Sequence, residues 1–250
     1  KTRLARLAYL IHEKHEAPER ILVLAFTRAV VDELRGRLHT LFNSLGYSKY
    51  VQKLPVHTFH SFALGELRRI RKETGLDQTS SDFDQPITLL VNTLAQSSQL
   101  RMNLASRYRY IFVDEFQDVH GVRYDLLKLL AGAERRRCNP PPNRSVRFVM
   151  ALDDDQSIFD YDNRNASDDP RHCLANFLTW AEPKPHKPHF LTVNYRSAKQ
   201  IVEASQDIVL SKMGSRLKQG PETRLLPNRE EEGSCKQVDF SEEQSDFAGA

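Results

Sequence analysis

A chain of 250 residues, 40% hydrophobic and 28% charged, has the composition of a soluble globular protein and room for one large domain or two small ones. No apolar stretch approaches the roughly 18 to 20 residues of a membrane span and no signal-peptide pattern opens the chain, so we expect no membrane partner. The net charge of +3 is unevenly distributed, because the segment from Asn228 onward contains seven acidic and only two basic residues. Residues 1–227 therefore carry 34 basic and 26 acidic residues, a net charge of +8. This positive charge suits a polyanionic partner without requiring one.

The first predicted element is an amphipathic helix, because apolar residues recur at helical spacing from Leu4 to Ile11. Directly before it stand Lys1 and Thr2, and Lys-Thr also ends the phosphate-binding motif Gly-x-x-x-x-Gly-Lys-Thr. In that motif the lysine reaches the β- and γ-phosphates and the threonine holds Mg²⁺. By itself the pair is more often a surface feature, and only its spacing to later motifs gives it weight.

A buried-strand pattern at Ile21 to Phe26 is followed by Thr27, Arg28 and a predicted helix. Without further context, Phe26 is a candidate core residue and the arginines of the helix form a solvated face. The next stretch runs from Val56 to Phe62. Its histidines have no carboxylate or cysteine at metal-ligand spacing, which argues against a metal site.

Two further features precede the central strand. Thr58 and Ser61 are candidate helix N-caps, since short hydroxyl side chains accept hydrogen bonds from the first backbone N–H groups of a helix. Residues 63–107 are predicted to be mostly helical. A polar loop is expected within them, from Thr74 to Asp84.

The central strand pattern, Tyr110 to Val113, is short, apolar and rich in β-forming residues, as in a strand buried on both faces of a parallel sheet. Asp114 and Glu115 follow at its carboxyl end, where open α/β sheets bind their ligands. One carboxylate there can hold Mg²⁺ while the other orients or deprotonates a water for attack on a phosphate. Alternatively the two acids cap the next helix, and the pair alone supports both interpretations equally.

Two later strand patterns also end in polar residues. Val146 to Leu152 leads into the run Asp153 to Gln156, followed by the aromatic residues Phe159 and Tyr161. Aromatic rings can stack nucleic-acid bases, a contact worth about 1–3 kcal/mol per base. Phe190 to Val193 is the last pattern, and it leads into Asn194-Tyr-Arg-Ser197.

Asp114-Glu-Phe-Gln-Asp118 resembles the second helicase motif of the UvrD/Rep family of superfamily 1. Four other stretches resemble motifs of that family in the family's order, so that the resemblance covers nearly the whole chain. They are the stretch from Ala25 to Arg35 (motif Ia), Val56 to Phe62 (the next DNA-contacting motif), Asp153 to Phe159 (motif III) and Asn194 to Ser197 (motif IV). The chain departs from the pattern at Leu152, where the family usually has glycine, in a longer stretch at 159–166, and in a shortened helical insertion.

The resemblance implies an α/β fold, a RecA-like P-loop NTPase domain with a parallel sheet flanked by helices. It assigns 1–227 to a first RecA-like ATP-binding domain, 63–107 to a reduced helical insertion, and 228–250 to an acidic segment leading towards a second RecA-like domain. The implied cofactors are ATP and Mg²⁺. The implied contacts with single-stranded DNA are Phe26, Thr27, Arg28, Thr58, Phe59, His60, Phe159 and Tyr161.

The resemblance also assigns roles in catalysis. Lys1, Thr2 and Asp114 hold MgATP, and Glu115 positions the attacking water. Gln156 and Arg196 sense the γ-phosphate and couple it to domain closure. Tyr195 and Arg3 sandwich the adenine.

The expected function is therefore that of an ATP-dependent DNA helicase motor translocating 3′ to 5′, with single-stranded DNA, ATP and a second RecA-like domain as partners. Two alternatives stay open: the motor of a helicase–nuclease recombination complex, and a degenerate nucleic-acid-binding scaffold. We expect an intracellular protein, in the cytoplasm or nucleoid of a bacterium or the nucleus of a eukaryote. We expect turnover from the full-length protein and none from these 250 residues alone, because the loop glycines and an arginine finger would lie outside them.

Overall fold

The computed structural model describes residues 2–75, 85–131, 146–153, 156, 189–212 and 224–229. Two compact units divide the chain, Lys1–His186 and Lys187–Ala250, and each is described by itself. Outside the described residues lie three of the predicted site residues, Lys1, Phe159 and Tyr161, and nearly all of the acidic segment 228–250. The predicted domain boundary at residue 227 stays a prediction.

The first unit is built on a parallel sheet of four strands in the order β2-β1-β3-β4. The strands are β1 (Ile21–Ala25), β2 (Val56–Thr58), β3 (Tyr110–Val113) and β4 (Arg147–Met150). After β1 the chain moves outward to β2 and then returns to β3 on the other side of β1. The strand order therefore reverses between β1 and β3, the kind of position at which open α/β sheets bind ligands.

Helices cover both faces of this sheet. One face carries α1 to α3 and the other carries α4 to α7. Because both faces of the sheet are covered, the two central strands, β1 and β3, are continuous buried apolar runs. The helices of the described part of this unit are α1 (Thr2–His12), α2 (Arg28–Ser44), α3 (Ser48–Val51), α4 (Phe59–Thr74), α5 (Gln85–Gln96), α6 (Ser98–Arg107) and α7 (Gly121–Ala131).

Strand β1 shows how the alternation of side chains divides the core. Ile21 and Val23 pack against α1 and α2, whereas Leu22 and Leu24 are fully buried under the helices of the opposite face. Successive side chains of a strand point to opposite faces, so each face receives every second residue. Truncating such a leucine to alanine typically costs about 2–5 kcal/mol of stability.

The predicted fold class is confirmed, since the first unit is an α/β domain with a parallel sheet flanked by helices. The helical prediction for 63–107 is also confirmed where the structure describes this range, and the fully buried Ile87 and Leu90 of α5 belong to the main core. The loop expected from Thr74 to Asp84 lies almost entirely outside the described residues, and Thr74 itself is the last residue of α4. Strand β2 was not predicted. Within the described residues, no helix combines the length and hydropathy needed to cross a bilayer.

The second unit contains a small parallel pair of strands, β5 (Val193–Asn194) and β6 (Leu226–Pro227), and the helix α8 (Lys199–Lys212). The predicted strand from Phe190 to Val193 is therefore wrong except for its last residue. The strand begins later because β6 offers a partner only to Val193 and Asn194.

Candidate active site

The carboxyl ends of β1, β3 and β4 meet at one edge of the sheet. Residues 26–28 follow β1, Asp114 and Glu115 follow β3, and Asp153 follows β4. The register pairs the last residue of β3, Val113, with the last residue of β4. The polar residues that the sequence places after separate strands are thereby brought to the same edge.

Backbone hydrogen bonds extend beyond the strands and fix the segment after β3. The Asp114 N–H donates to the carbonyl of Leu24 at 3.0 Å, and the Phe116 N–H donates to the carbonyl of Ala151 at 2.9 Å. The segment that carries the two acids is thus held from the β1 side and from the β4 side. A backbone that is held on both sides in this way fixes the positions from which the Asp114 and Glu115 side chains extend.

Asp114 is buried, with 5% of its surface exposed, and its Oδ1 accepts a hydrogen bond from the Glu115 N–H at 2.9 Å. Within the described ranges, no group of three or more His, Cys, Asp or Glu side chains could hold a metal ion. Mg²⁺ in phosphate-handling sites is bound through one or two carboxylates and the substrate phosphates, with no all-protein cage. The donor set at Asp114 therefore fits Mg²⁺ shared with a nucleotide.

Glu115 adopts a left-handed backbone conformation, with φ 49° and ψ 53°. For a residue with a Cβ this conformation costs on the order of 1–2 kcal/mol. The side chain is half-buried, and its Oε2 accepts a hydrogen bond from Gln117 Nε2 at 2.7 Å. A strained, tethered carboxylate at the end of a central strand is the feature expected of a functional group.

A series of hydrogen bonds leads from Glu115 to the loop after β4. Gln117 is 5% exposed, and its Oε1 accepts from the Asp153 N–H at 3.0 Å. Asp153 Oδ2 in turn accepts from Gln156 Nε2 at 2.8 Å. The predicted base and the predicted γ-phosphate sensor are therefore joined through Gln117 and Asp153.

A third carboxylate lies beside this series. Asp118 is 7% exposed, and its Oδ1 finds no hydrogen-bond partner in the part of the chain that the structure describes. Burial, and then the negative charge of Glu115, raises the pKa of Asp118 to about 6. The sequence indicated a motif containing Asp118 but gave no sign that this carboxylate would be buried.

The residues after β1 form a second part of the same edge. Phe26 is half-buried, and the Arg123 guanidinium lies 5.1 Å from the centroid of its ring. Thr27 is the N-cap of α2 and accepts from the Val30 N–H at 3.3 Å. Arg28, the first residue of α2, is exposed.

The residues after β2 correct one prediction. Phe59 is 1% exposed and packs in the core under α4, so its ring cannot stack on a base from this position. Thr58 is buried and is the N-cap of α4, which confirms the N-cap prediction for Thr58, whereas Ser61 is the third residue of the helix and completes a capping box with Thr58. Because Thr58 is buried, with 7% of its surface exposed, a direct DNA contact there is not supported. His60 is half-buried in the first turn of α4.

The remaining predicted site residues are only partly described. Thr2 and Arg3 are the first residues of α1. In the second unit Tyr195 is 68% exposed and Arg196 is exposed too. Asn194 Oδ1 accepts from the N–H groups of Arg196 and Ser197, each at 2.9 Å, which explains the turn after β5.

A family profile described as the UvrD/REP helicase N-terminal domain matches residues 1–81 and 72–168 of this chain. The ATP-dependent DNA helicase PcrA of Staphylococcus epidermidis is 28% identical over 175 residues, covering 70% of this chain and 21% of that protein. The ATP-dependent DNA helicase Rep of Escherichia coli is 27% identical over 231 residues, covering 87% and 32%.

The putative ATP-dependent DNA helicase YjcD of Bacillus subtilis is 27% identical over 191 residues, covering 74% of this chain and 22% of that protein. The chain thus spans between one fifth and one third of the length of these relatives.

Proposed function

Because the chain belongs to the UvrD/Rep helicase family, we propose that it is the first ATP-binding motor domain of an ATP-dependent DNA helicase. The observation that carries the proposal is the pair Asp114 and Glu115 at the point where the strand order reverses. Of this pair, Asp114 is buried and Glu115 is strained and tethered. These are the two carboxylates that hydrolysis of a nucleoside triphosphate needs.

In the proposed reaction a water attacks the γ-phosphorus of ATP, the bond to the bridging oxygen breaks, and ADP leaves with the electron pair. Mg²⁺ bound to Asp114 and Thr2 would stabilise the phosphate charge. Glu115 orients the water and accepts its proton as the new bond forms. Its hydrogen bond from Gln117 fixes one carboxylate oxygen and so the direction in which the carboxylate faces.

The topology supports a phosphate site at the start of α1. Helix α1 ends at His12 and leads through residues 13–20 into the amino end of β1, so its own amino terminus points towards the carboxyl edge of the sheet. Helix amino termini favour anions. We assign Lys1 and Thr2 to the phosphates on this basis, together with the family membership.

The remaining roles are carried over from the family motifs. Gln156 and Arg196 sense the γ-phosphate, and Arg3 and Tyr195 hold the adenine. A second RecA-like domain completes the site, and translocation runs 3′ to 5′. The exposure of Tyr195 and Arg196 is compatible with these roles.

We propose that single-stranded DNA binds along the edge of the sheet that carries Phe26, Thr27 and Arg28. The proposed contacts also include His60, which follows β2 in the sequence, and the two aromatic residues that follow β4. The partial exposure of Phe26 and the exposure of Arg28 support this assignment. Phe59 has no part in it, because its ring is in the core.

The test is Glu115→Gln in the full-length protein. We expect the turnover number for DNA-stimulated ATP hydrolysis to fall at least ~100-fold, because the base is removed while the metal ligand is kept. The affinity for MgATP should be retained. The matched control is Glu19→Gln, an exposed glutamate before the amino end of β1, which should leave turnover unchanged.

Two outcomes would contradict the proposal. Near-normal turnover by Glu115→Gln would remove the assigned base. A wild-type protein that binds single-stranded DNA but shows no hydrolysis, even with saturating DNA, would favour the scaffold alternative.

A further inference from the structure

We propose that Gln117 is a positioning residue that fixes the Glu115 carboxylate against the loop after β4. This inference rests on the proposed function, because it concerns how the base of that reaction is held. It assigns to a buried amide a role distinct from that of the two acids beside it.

Two hydrogen bonds of the Gln117 side chain define its positioning role. Gln117 Nε2 donates to Glu115 Oε2 at 2.7 Å, and Gln117 Oε1 accepts from the Asp153 N–H at 3.0 Å. The side chain is 5% exposed, so water does not readily replace either bond. Both ends of the amide are therefore committed, one to the base and one to the loop.

The amide of Gln117 has the donor and the acceptor that the two contacts need. A neutral amide presents two N–H donors and a carbonyl acceptor, whereas a carboxylate accepts and cannot donate. Glutamate at position 117 would keep an acceptor for Asp153 and place a second negative charge against Glu115. Methionine would keep the size and lose both contacts.

The backbone is already held without this side chain. The Phe116 N–H donates to the Ala151 carbonyl at 2.9 Å, and the Ala151 N–H donates to the Val113 carbonyl at 3.0 Å. These bonds join the segments after β3 and β4 directly. What Gln117 adds is the tether on the Glu115 side chain.

The hydrogen bonds continue from Gln117 through Asp153 to Gln156, the proposed γ-phosphate sensor. Asp153 accepts from Gln156 through its side chain at 2.8 Å and through its backbone carbonyl at 3.0 Å. The position of this loop therefore sets the position of the Glu115 carboxylate through Gln117. A misplacement of about 1 Å in a reacting group can cost on the order of 10²-fold in rate.

The experiment compares Gln117→Met and Gln117→Glu in the full-length protein, with MgATP and saturating single-stranded DNA. For both variants we expect kcat to fall about 10–100-fold while KM for ATP stays within about 3-fold, as for a group that acts in the transition state. The control is Gln99→Met, which removes an exposed helix-surface bond to Asn103 at 2.8 Å and should change neither constant.

Gln117→Glu separates positioning from a purely structural role. It keeps the acceptor for the Asp153 N–H, so wild-type kcat in this variant would mean that Gln117 only holds the loop, and would overturn the inference. Failure of both variants to fold, seen as loss of the thermal transition, would overturn it as well.

A double-mutant cycle gives an independent result. If Gln117 acts through Glu115, then Gln117→Met should have little further effect on kcat in the Glu115→Gln background. Full additivity would count against the inference. An inactive wild type, or a fully active Glu115→Gln, would instead mean that the proposed function itself fails.

Discussion

Replacing Asp118 with asparagine should stabilise the domain at neutral pH. The carboxyl is buried, and burial together with the charge of Glu115 raises its pKa from the ordinary 3.8 to about 6. Between these two pH values the folded chain keeps a proton that the unfolded chain has already lost. Stability therefore falls as the pH rises through this window, and the loss persists above it.

The shift in the pKa of Asp118 sets the size of the expected gain in stability. A difference of roughly two pH units corresponds to up to about 3 kcal/mol in the free energy of unfolding above pH 7. Asparagine has the same shape without the charge, so Asp118→Asn should recover most of this free energy. For a domain of this size that is about 6–12 °C in Tm.

The assay is unfolding of the wild type and Asp118→Asn at pH 4 and pH 7.5, by denaturant or by heat. The two should differ little at pH 4, where the wild-type carboxyl is protonated in the folded state, and should differ clearly at pH 7.5. Asp125→Asn is the matched control, since Asp125 is a residue of α7 whose side chain is 46% exposed and paired with Lys128 at 2.6 Å. Such surface pairs contribute about 0–1 kcal/mol.

Two results would refute this reasoning. The first is an Asp118→Asn variant that is no more stable than the wild type at pH 7.5, which would mean that the folded site favours the charged carboxylate. The second is an equal gain in stability at both pH values, which would mean that the gain arises from packing and not from the titration of Asp118.

Two further predictions concern the same edge of the sheet. Glu115→Gly should be about 1 kcal/mol more stable than Glu115→Ala in denaturant unfolding, because both lack the carboxylate and only glycine, without a Cβ, adopts φ 49° free of strain. Equal stabilities of the two variants would contradict the strain at this position. Phe26→Ala should weaken the binding of single-stranded DNA with little change in its salt dependence, whereas Arg28→Ala should reduce the slope of affinity against salt concentration, because counterion release follows the charges. Equal salt slopes for the two variants in fluorescence anisotropy titrations would argue against the assigned DNA surface.

Several features of this protein followed from the sequence because they depend on neighbouring residues alone. The apolar run from Tyr110 to Val113 followed by two acids is a local pattern, and the structure contains that strand with the predicted ends. The helical stripes in 63–107 are local in the same sense. The family resemblance was also available from the sequence, since it rests on short motifs in order.

Other features depended on which elements pack together. Phe26 and Phe59 both follow strands directly, yet the first is only half-buried and the second is in the core. The sequence around each is similar, an apolar strand followed by a helix. What differs is that α4 lies on the sheet with its first residue turned inwards.

The hydrogen bond from the Asp153 N–H to Gln117 was not predictable for the same reason. The two residues are 36 positions apart, and the contact exists only because β3 pairs with β4 in a register that aligns Val113 with Met150. The burial of Asp118 likewise results from packing. The sequence determined which chemical groups are present at the end of each strand, and the pairing of the strands decided which of those groups touch.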